Sequence, residues 1–146
     1  MYKQMVVGFA INNNKVLLIN KLKPKWQKGK LNGVGGKIKK DENPVDAMIR
    51  EFYEEAGVTT KTKDWIQICN IFSTESLWVV YFFVTEKNVY EAKSVEQEQV
   101  GWIDIDNLPD NTISNLRWLL PMARYLIDHK ENIGEGTRRI FFEGVK

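Results

Sequence analysis

The chain has 146 residues, the size of one domain, and a chain of this length buries roughly two thirds of its unfolded surface. Its formal net charge of +2 provides no overall attraction to nucleic acid or to an anionic membrane, so neither is expected as a partner. The single cysteine, Cys69, excludes an intramolecular disulfide framework and favours a reducing compartment.

The first residues lack the apolar core of a signal peptide, and no apolar run approaches the ~20 residues that a membrane-spanning helix needs. We therefore expect one domain over residues 1–146, located in the cytoplasm. The sequence leaves the oligomeric state open, with a homodimer as one alternative to a monomer.

The N-terminal part predicts a β-hairpin followed by a basic loop. Residues 5–11 and 15–20 are strand-like around the turn Asn12-Asn13-Asn14, whereas residues 21–30 lack an apolar period. Residues 21–40 contain no acid, and their lysines are Lys21, Lys23, Lys25, Lys28, Lys30, Lys37, Lys39 and Lys40. These lysines belong either to a solvated loop or to a basic rim around a polyphosphate.

Residues 44–56 predict an amphipathic helix. Asn43 can cap its first turn, Pro44 suits the first helical position, and Gly57 can adopt the left-handed conformation that ends it. The helical period predicts two separate faces. The apolar face is Val45, Ile49, Phe52 and Ala56, and the acidic face is Glu51, Glu54 and Glu55.

The acidic face predicts a bound cation, because carboxylates at this spacing repel one another. Mg²⁺ prefers oxygen ligands and keeps positions for water and phosphate oxygens, so Mg²⁺ is expected, with Mn²⁺ as an alternative. Zinc and copper sites use His and Cys, and the chain has one of each, far apart in sequence. We interpret Cys69 as a buried packing residue and His129 as a surface residue at a helix end.

Two further strands follow the helix. Residues 65–72 and 77–85 predict adjacent antiparallel strands. Residues 78–84 are apolar almost throughout, which indicates a strand covered on both faces. A sheet with a helix on each side, an α/β/α sandwich, is therefore expected.

The C-terminal part supplies the second helix of this sandwich. Residues 100–104 predict a short strand and residues 115–129 a helix, in which Pro121 indicates a kink or a later start. Its expected core face is Leu116, Leu119, Leu120, Ala123 and Ile127. This helix should cover the sheet face opposite the acidic helix, and residues 140–142 could add an edge strand.

The acidic helix lies within a pattern that carries a family resemblance. Gly36, Glu42 and residues 50–58 match every fixed position of G-x5-E-x7-R-E-U-x-E-E-x-G-U, where U is apolar. This pattern is the Nudix box, so the chain resembles a Nudix hydrolase. Residues 31–37 also resemble the N-G-x-G-G-K that precedes the box in MutT-type enzymes, which sanitise the nucleotide pool. The resemblance implies a Nudix-type α/β/α sandwich with a mixed β-sheet between the catalytic helix and a C-terminal helix.

The resemblance also implies metal ligands and catalytic groups. The implied ligands are the main-chain carbonyl of Gly35 and the carboxylates of Glu51, Glu54, Glu55 and Glu98, with Glu96 as second choice for the last position. Glu54 and Glu98 rank together as general base, ahead of Glu51. Arg50 would orient a box glutamate through a charged hydrogen bond, and Glu42 would support the loop and the helix.

The implied substrate contacts are Asn32, Gly36, Lys37, Lys21 and Lys23. Asn32 matches the position at which MutT-type enzymes read a purine edge, and an amide can both donate and accept hydrogen bonds there. Leu31 stands where relatives often have Trp. Stacking on a base is then left to Trp26, Trp102 or Trp118, for which packing within the protein is the alternative.

The implied activity is Mg²⁺-dependent hydrolysis of a nucleoside diphosphate linked to another group. The leading substrate is an NTP or dNTP cut to a nucleoside monophosphate and pyrophosphate, including 8-oxo-dGTP and related purine nucleotides. ADP-ribose, NADH and dinucleoside polyphosphates are the alternative substrates. Thr74 stands where ADP-ribose-preferring relatives tend to carry Pro, which disfavours that alternative. A non-catalytic nucleotide- or RNA-binding Nudix module is the remote alternative, although such modules usually lose box carboxylates.

Overall fold

The computed structural model describes residues 2–89, 92–95, 98–130 and 138–142. The strands in these ranges are β1 (Lys3–Asn12), β2 (Lys15–Asn20), β3 (Leu31–Asn32), β4 (Val34–Lys37), β5 (Ile66–Ser73), β6 (Trp78–Thr85), β7 (Val100–Asp104) and β8 (Arg139–Phe142). The helices are α1 (Pro44–Ala56) and α2 (Leu116–Asp128), and single 3-10 turns lie at Lys25–Gln27, Thr62–Asp64 and Ile105–Asn107.

The strands form one mixed sheet in the order β3-β2-β1-β6-β5-β8, with β4 also paired to β1 and β7 to β2. Strand β1 is parallel to β6 along one edge and antiparallel to β4 and β2 along the other. Strand β5 is antiparallel to β6, and β8 is parallel to β5. The predicted mixed sheet and the predicted edge strand at residues 140–142 are therefore confirmed.

Alternation along the central strands gives each face of the sheet its own core. Val6, Ala10 and Leu17 are buried with α1, whereas Phe9 and Leu18, at the alternate positions, are buried with α2. The two helices therefore cover opposite faces, as predicted for an α/β/α sandwich. None of the helices in the described part of the chain is long and apolar enough to cross a membrane.

Helix α1 begins and ends where the sequence predicts, but its buried face is different. Asn43 accepts a hydrogen bond from the Asp46 N–H at 3.0 Å, and Gly57 ends the helix at φ 74°. The buried residues are Ala47, Met48, Phe52, Glu55 and Ala56, whereas Val45 and Ile49 are only partly buried. The prediction that Glu55 lies on a face away from the core is therefore wrong.

Gly8 on β1 gives the physical reason for this difference. A Cβ at Gly8 would lie 2.6 Å from Sδ of Met48 and 2.9 Å from Cζ3 of Trp65, so the absent side chain lets Met48 approach the strand. Because Met48 packs against β1, the face of α1 that carries Met48 lies against the sheet. Glu55, seven residues later, lies on the same face and is therefore buried.

Helix α2 follows the prediction with two corrections. Leu126, and not Ile127, completes the buried face with Leu116, Leu119, Leu120 and Ala123, and Ile127 is only partly buried. The helix is continuous from Leu116 through Pro121, so a start nearer Leu120 is wrong. As expected, Cys69 is buried and His129 is exposed just beyond the helix end.

Candidate active site

Two glycines of β4 bring this strand against β1 on one side and α1 on the other. A Cβ at Gly35 would collide with the main-chain carbonyl of Val6. A Cβ at Gly36 would lie 2.5 Å from Cδ of Glu51. Gly35 therefore requires glycine for a steric reason, whereas a side chain at Gly36 would displace the Glu51 carboxylate that lies directly against the main chain of β4.

Arg50 joins three box carboxylates and the end of β4. Its Nε and Nη2 donate to the two carboxylate oxygens of Glu42 at 2.8 and 2.9 Å. Its Nη1 donates to Glu51 at 2.8 Å and to Glu54 at 3.2 Å. Its Nη2 also donates to the Lys37 carbonyl at 3.0 Å.

The hydrogen bonds between Arg50 and Glu42 shift the pKa values of both groups. The hydrogen bond from Arg50 lowers the pKa of Glu42 to about 2, and the same bond raises the pKa of Arg50. Both groups are therefore ionised at neutral pH. The bidentate pair holds the turn before α1 against the helix, in agreement with the supporting role that the resemblance implies for Glu42.

Glu55 is the buried member of the box, with an exposed fraction of 5%. Its Oε2 accepts a hydrogen bond from the Gly35 N–H at 3.3 Å. Burial raises the pKa of Glu55 to about 8; the charges of Glu51 and Glu98 act in the same direction, whereas the charge of Lys21 opposes them. Glu55 therefore lies close to the other proposed ligands and carries a proton near neutral pH unless a cation displaces it.

The Gly35 carbonyl, which the resemblance implies as a metal ligand, points away from β1. In an antiparallel ladder the N–H and C=O of one residue point to the same side of the strand. Because the Gly35 N–H donates to Glu55 and not to β1, its carbonyl also points away from β1. This main-chain oxygen is therefore on the side of the helix carboxylates.

Glu98 reaches the site from the segment before β7, and it is engaged by the basic loop. Its Oε2 accepts hydrogen bonds from the N–H groups of Leu22 at 2.5 Å and Lys23 at 3.2 Å. Its Oε1 pairs with Nζ of Lys21 at 3.2 Å. Burial raises the pKa of Glu98, but the Leu22 hydrogen bond and the Lys21 charge lower it overall. The alternative candidate, Glu96, lies outside the described residues.

The carboxylates do not form a preassembled metal cage. Within the described ranges no three His, Cys, Asp or Glu side chains are arranged to hold one ion. Arg50 contacts both Glu51 and Glu54, and the loop contacts Glu98. The donor set nevertheless fits a hard divalent cation, because every candidate donor is an oxygen. Burial, with a smaller contribution from the charges of Glu51 and Glu98, raises the pKa of Glu55, so a cation bound there would have to displace its proton.

Asn32 and Lys37, two of the proposed substrate contacts, lie on either side of Gly35 and Gly36, the two residues of β4 that form the glycine bend. Asn32 donates to Oε1 of Gln27 at 3.2 Å and accepts from the Gly33 N–H at 2.7 Å. Lys37 is exposed beyond Gly36, at the other end of the bend, and Lys23 is exposed in the loop. Trp26 is 66% exposed, so the packing alternative for this residue is wrong, whereas Trp102 is partly buried.

Asn111 contributes to this site, although no sequence motif identifies it. Nδ2 of Asn111 donates to the Gly29 carbonyl at 3.0 Å, and the Asn111 carbonyl accepts from the Leu31 N–H at 3.0 Å. Asn111 therefore fastens the far end of the basic loop, as Glu98 fastens its beginning. The partners are 82 residues apart in the chain, and no local motif marks such a contact.

The comparisons with known proteins agree with this geometry. A family model described as the NUDIX domain matches residues 1–132. The chain is 32% identical over 113 residues to a Danio rerio protein named oxidized purine nucleoside triphosphate hydrolase, across 73% of this chain and 69% of that protein.

Solved structures share the fold. A MutT NUDIX hydrolase from Burkholderia pseudomallei superposes with a TM-score of 0.71 at 22% identity, over 84% of this chain and 98% of that chain. A bifunctional NMN adenylyltransferase/ADP ribose pyrophosphatase from Francisella tularensis, complexed with AMP and a Mn ion, gives a TM-score of 0.66 at 17% identity, over 88% of this chain and 42% of that chain. Because the family model covers most of the chain and the box residues meet at one glycine bend, the chain belongs to the Nudix family and is a MutT-like Nudix hydrolase, a pyrophosphohydrolase.

Proposed function

We propose that this enzyme uses Mg²⁺ to hydrolyse nucleoside triphosphates or deoxynucleoside triphosphates to the monophosphate and pyrophosphate, with oxidised purine nucleotides such as 8-oxo-dGTP among its substrates. The name of the 32% identical Danio rerio relative supports this choice of substrate. We further propose that residues 1–146 act as one catalytic domain in the cytoplasm. Mn²⁺ is the alternative cation, and the Francisella tularensis neighbour contains that ion.

The observation that carries the proposal is the contact between β4 and α1. The Gly36 main chain touches Glu51, and Arg50 links Glu51 and Glu54 to Glu42 within 3.2 Å. A non-catalytic module has no need to keep these carboxylates in such contact, because like charges on one helix face oppose folding. The arrangement is consistent with hydrolysis at phosphorus.

The residues that would hold the cation are Glu51, Glu54, Glu55 and Glu98 together with the Gly35 carbonyl. When bound, the ion would neutralise phosphate charge and lower the pKa of the attacking water. In the reaction a water oxygen forms a bond to phosphorus, the bond from phosphorus to the bridging oxygen breaks, and pyrophosphate leaves. The proton of the water passes to a carboxylate.

Glu54 is the best candidate for that carboxylate. Its side chain is 39% exposed, and within the described residues its carboxylate accepts one hydrogen bond, from Arg50. Both oxygens of Glu98 are engaged by the basic loop. Glu54 can therefore reach a water molecule with less rearrangement than Glu98.

A substrate panel tests the proposal. The purified chain with Mg²⁺ is incubated with canonical and oxidised NTPs, ADP-ribose, NADH and dinucleoside polyphosphates, and the products are separated by chromatography. We expect pyrophosphate and a monophosphate from an NTP. Release of two monophosphates from ADP-ribose or NADH alone would favour the alternative substrates, and no hydrolysis of any compound would favour a binding module.

Replacing the proposed base tests the mechanism separately. Glu54→Gln should lower kcat by at least about a hundredfold, because the variant loses the proton acceptor but keeps a hydrogen-bond acceptor for Arg50. Nucleotide binding and the melting temperature should change little. Glu75→Gln, in the turn between β5 and β6, is the matched control and should leave kcat unchanged. Near-normal turnover of the Glu54 variant would remove this residue from the mechanism.

A further inference from the structure

The side chain of Gln27, in the basic loop, lies against Asn32. Residues 22–26 and 28–30 of this loop are exposed, whereas Gln27 is half-buried. Its Oε1 accepts a hydrogen bond from Nδ2 of Asn32 at 3.2 Å. Gln27 belongs to no sequence motif, so this contact between two amide side chains appears only in the fold.

The main chain of Gln27 is fixed by hydrogen bonds within the loop. The Gln27 N–H donates to the Pro24 carbonyl at 2.9 Å, and the Lys30 N–H donates to the Gln27 carbonyl at 2.8 Å. The loop itself is held at its beginning by Glu98 and near its end by Asn111. The side chain of Gln27 is therefore presented from a preorganised main chain, as a recognition group requires.

One main-chain N–H determines the orientation of both amides. The Gly33 N–H can only donate, so the Asn32 atom that it contacts at 2.7 Å is Oδ1. Nδ2 of Asn32 then faces Gln27 and can only donate, so the Gln27 atom in this contact is Oε1. Nε2 of Gln27 remains, and it donates to no other atom of the described residues. Gln27 therefore offers a hydrogen-bond donor beside Asn32.

Asn32 lies on the face of the sheet that carries the box carboxylates. Asn32 is paired with Ile19 in an antiparallel register, and directly paired residues point to the same side of a sheet. Ile19 is buried with α1, and Gly36 contacts Glu51 of α1 on that same face. Asn32 and Gly36 are at most about 14 Å apart for an extended chain. One nucleotide can therefore place its base at Asn32 and its phosphates at the carboxylates.

The donor on Gln27 distinguishes two classes of purine. A 6-oxopurine carries a carbonyl oxygen at ring position 6, which accepts a hydrogen bond, whereas a 6-aminopurine carries an amino group, which donates one. An amino group placed against Nε2 would leave two donors facing each other. Binding would then be weakened, because neither donor would find an acceptor.

From this geometry we infer that Gln27 is a specificity-determining residue, which donates a hydrogen bond to the carbonyl at ring position 6 of a purine held at Asn32. The chain therefore selects 6-oxopurine nucleotides over 6-aminopurine nucleotides. The inference rests on the proposed function for the presence of a purine at Asn32, and it adds the class of base. Guanine and 8-oxoguanine both carry this carbonyl, so the oxidised purine nucleotide of the proposed function belongs to the selected class.

Calorimetric titration of the full chain with inosine monophosphate and with adenosine monophosphate tests the inference. The unmodified chain should bind the 6-oxopurine more tightly by about tenfold or more. Gln27→Glu keeps an oxygen for Asn32 but replaces the outward donor by an acceptor, so the ratio of the two affinities should move by about tenfold or more toward adenosine monophosphate. Repulsion between the new carboxylate and phosphate weakens both nucleotides, and the ratio is therefore the readout.

Lys28→Gln is the matched control. It lowers the charge of the loop by the same amount at the next residue, which is exposed, and it should keep the affinity ratio of the unmodified chain. Thermal melts of the two variants should agree, because both substitutions lie in the loop. Equal affinity ratios in the two variants, or an unmodified chain that does not prefer inosine monophosphate, would overturn the inference.

Steady-state kinetics separate this inference from the proposed function. The ratio of kcat/KM for inosine triphosphate to that for ATP should fall in Gln27→Glu and stay unchanged in Lys28→Gln. If no triphosphate is hydrolysed but the monophosphate preference still depends on Gln27, the proposed function fails and the selection of the base stands. Hydrolysis of triphosphates with a preference that does not depend on Gln27 would remove the role of Gln27 alone.

Discussion

Gly35 and Gly36 lie between β1 and α1, and both neighbours leave little space for a side chain on β4. The first has no space for a side chain against the Val6 carbonyl, and the second has none against the Glu51 carboxylate. Gly35 therefore lets β4 approach β1, and Gly36 lets β4 approach the acidic helix. At the residue scale, this contact is the physical basis of the site.

Gly36→Ala should lower kcat/KM by about tenfold or more, because the added Cβ displaces the Glu51 carboxylate from its position beside β4. Gly101→Ala, in β7, is the control: a Cβ there meets no atom within 4 Å, so activity should change less than about twofold. Steady-state kinetics and a thermal melt of both variants provide the measurement. Equal activities of the two variants would show that the spacing between Gly36 and Glu51 does not matter for catalysis.

At the scale of the element, α1 acts as a unit whose charges are held together by Arg50. Adjacent residues of its last turn have different roles because their surroundings differ. Glu54 is partly exposed and in contact with Arg50, whereas Glu55 is buried and in contact with the main chain of β4. Arg50 forms hydrogen bonds with both edges of its planar guanidinium, and a lysine ammonium cannot reproduce this geometry.

Arg50→Lys should therefore destabilise the fold by about 2 kcal/mol, since the bidentate bond to Glu42 lies in a partly buried site and its loss leaves a carboxylate poorly paired. Arg124→Lys changes a more exposed ion pair with Asp106 and should cost less than about 0.5 kcal/mol. Urea unfolding of the two variants measures the difference. If Arg50→Lys proved as stable as Arg124→Lys, a structural role for the Arg50 guanidinium would be refuted.

The limits of α1 could be predicted because they depend on neighbouring residues, Asn43 and Gly57. Its orientation could not, because the buried face depends on a glycine of β1, about forty residues earlier in the chain. The same distinction applies to the site. The box pattern identifies Arg50 and the helix carboxylates, but the contacts of Glu98 with Leu22 and of Asn111 with Gly29 join distant segments and appear only in the fold.

At the scale of the whole molecule, the sheet brings separate segments to one edge of α1. The basic loop follows β2, and the glycine bend lies in β4. Glu98 precedes β7, which pairs with β2. The order of the strands therefore supplies both the acidic centre and the lysines around it. Glu55 is buried between these segments, and the charges of Lys21 and Glu98 act on its pKa. The stability of the whole fold should therefore depend on the protonation of this residue.

Without divalent ions, stability should fall as the pH rises. The pKa of Glu55 is about 8 in the folded chain, and about 4.3 is usual for an unfolded chain, so between these values the folded state binds one proton more. The unfolding free energy therefore has a negative slope with pH in this window. The contribution is fully present at about pH 4 and is lost by about pH 9. Glu55→Gln should remove this slope, worth about 5 kcal/mol over the whole window.

Mg²⁺ should oppose this dependence, because it binds the deprotonated carboxylate and must displace the proton. An excess of about a hundredfold over the dissociation constant stabilises a fold by about 2.7 kcal/mol, and we expect a larger shift in melting temperature at about pH 8.5 than at about pH 5.5. Thermal melts in EDTA and in Mg²⁺ at both pH values, with Glu55→Gln alongside, test the coupling. An equal Mg²⁺ shift at the two pH values, or an undiminished shift in the variant, would show that Glu55 does not take part in binding the ion.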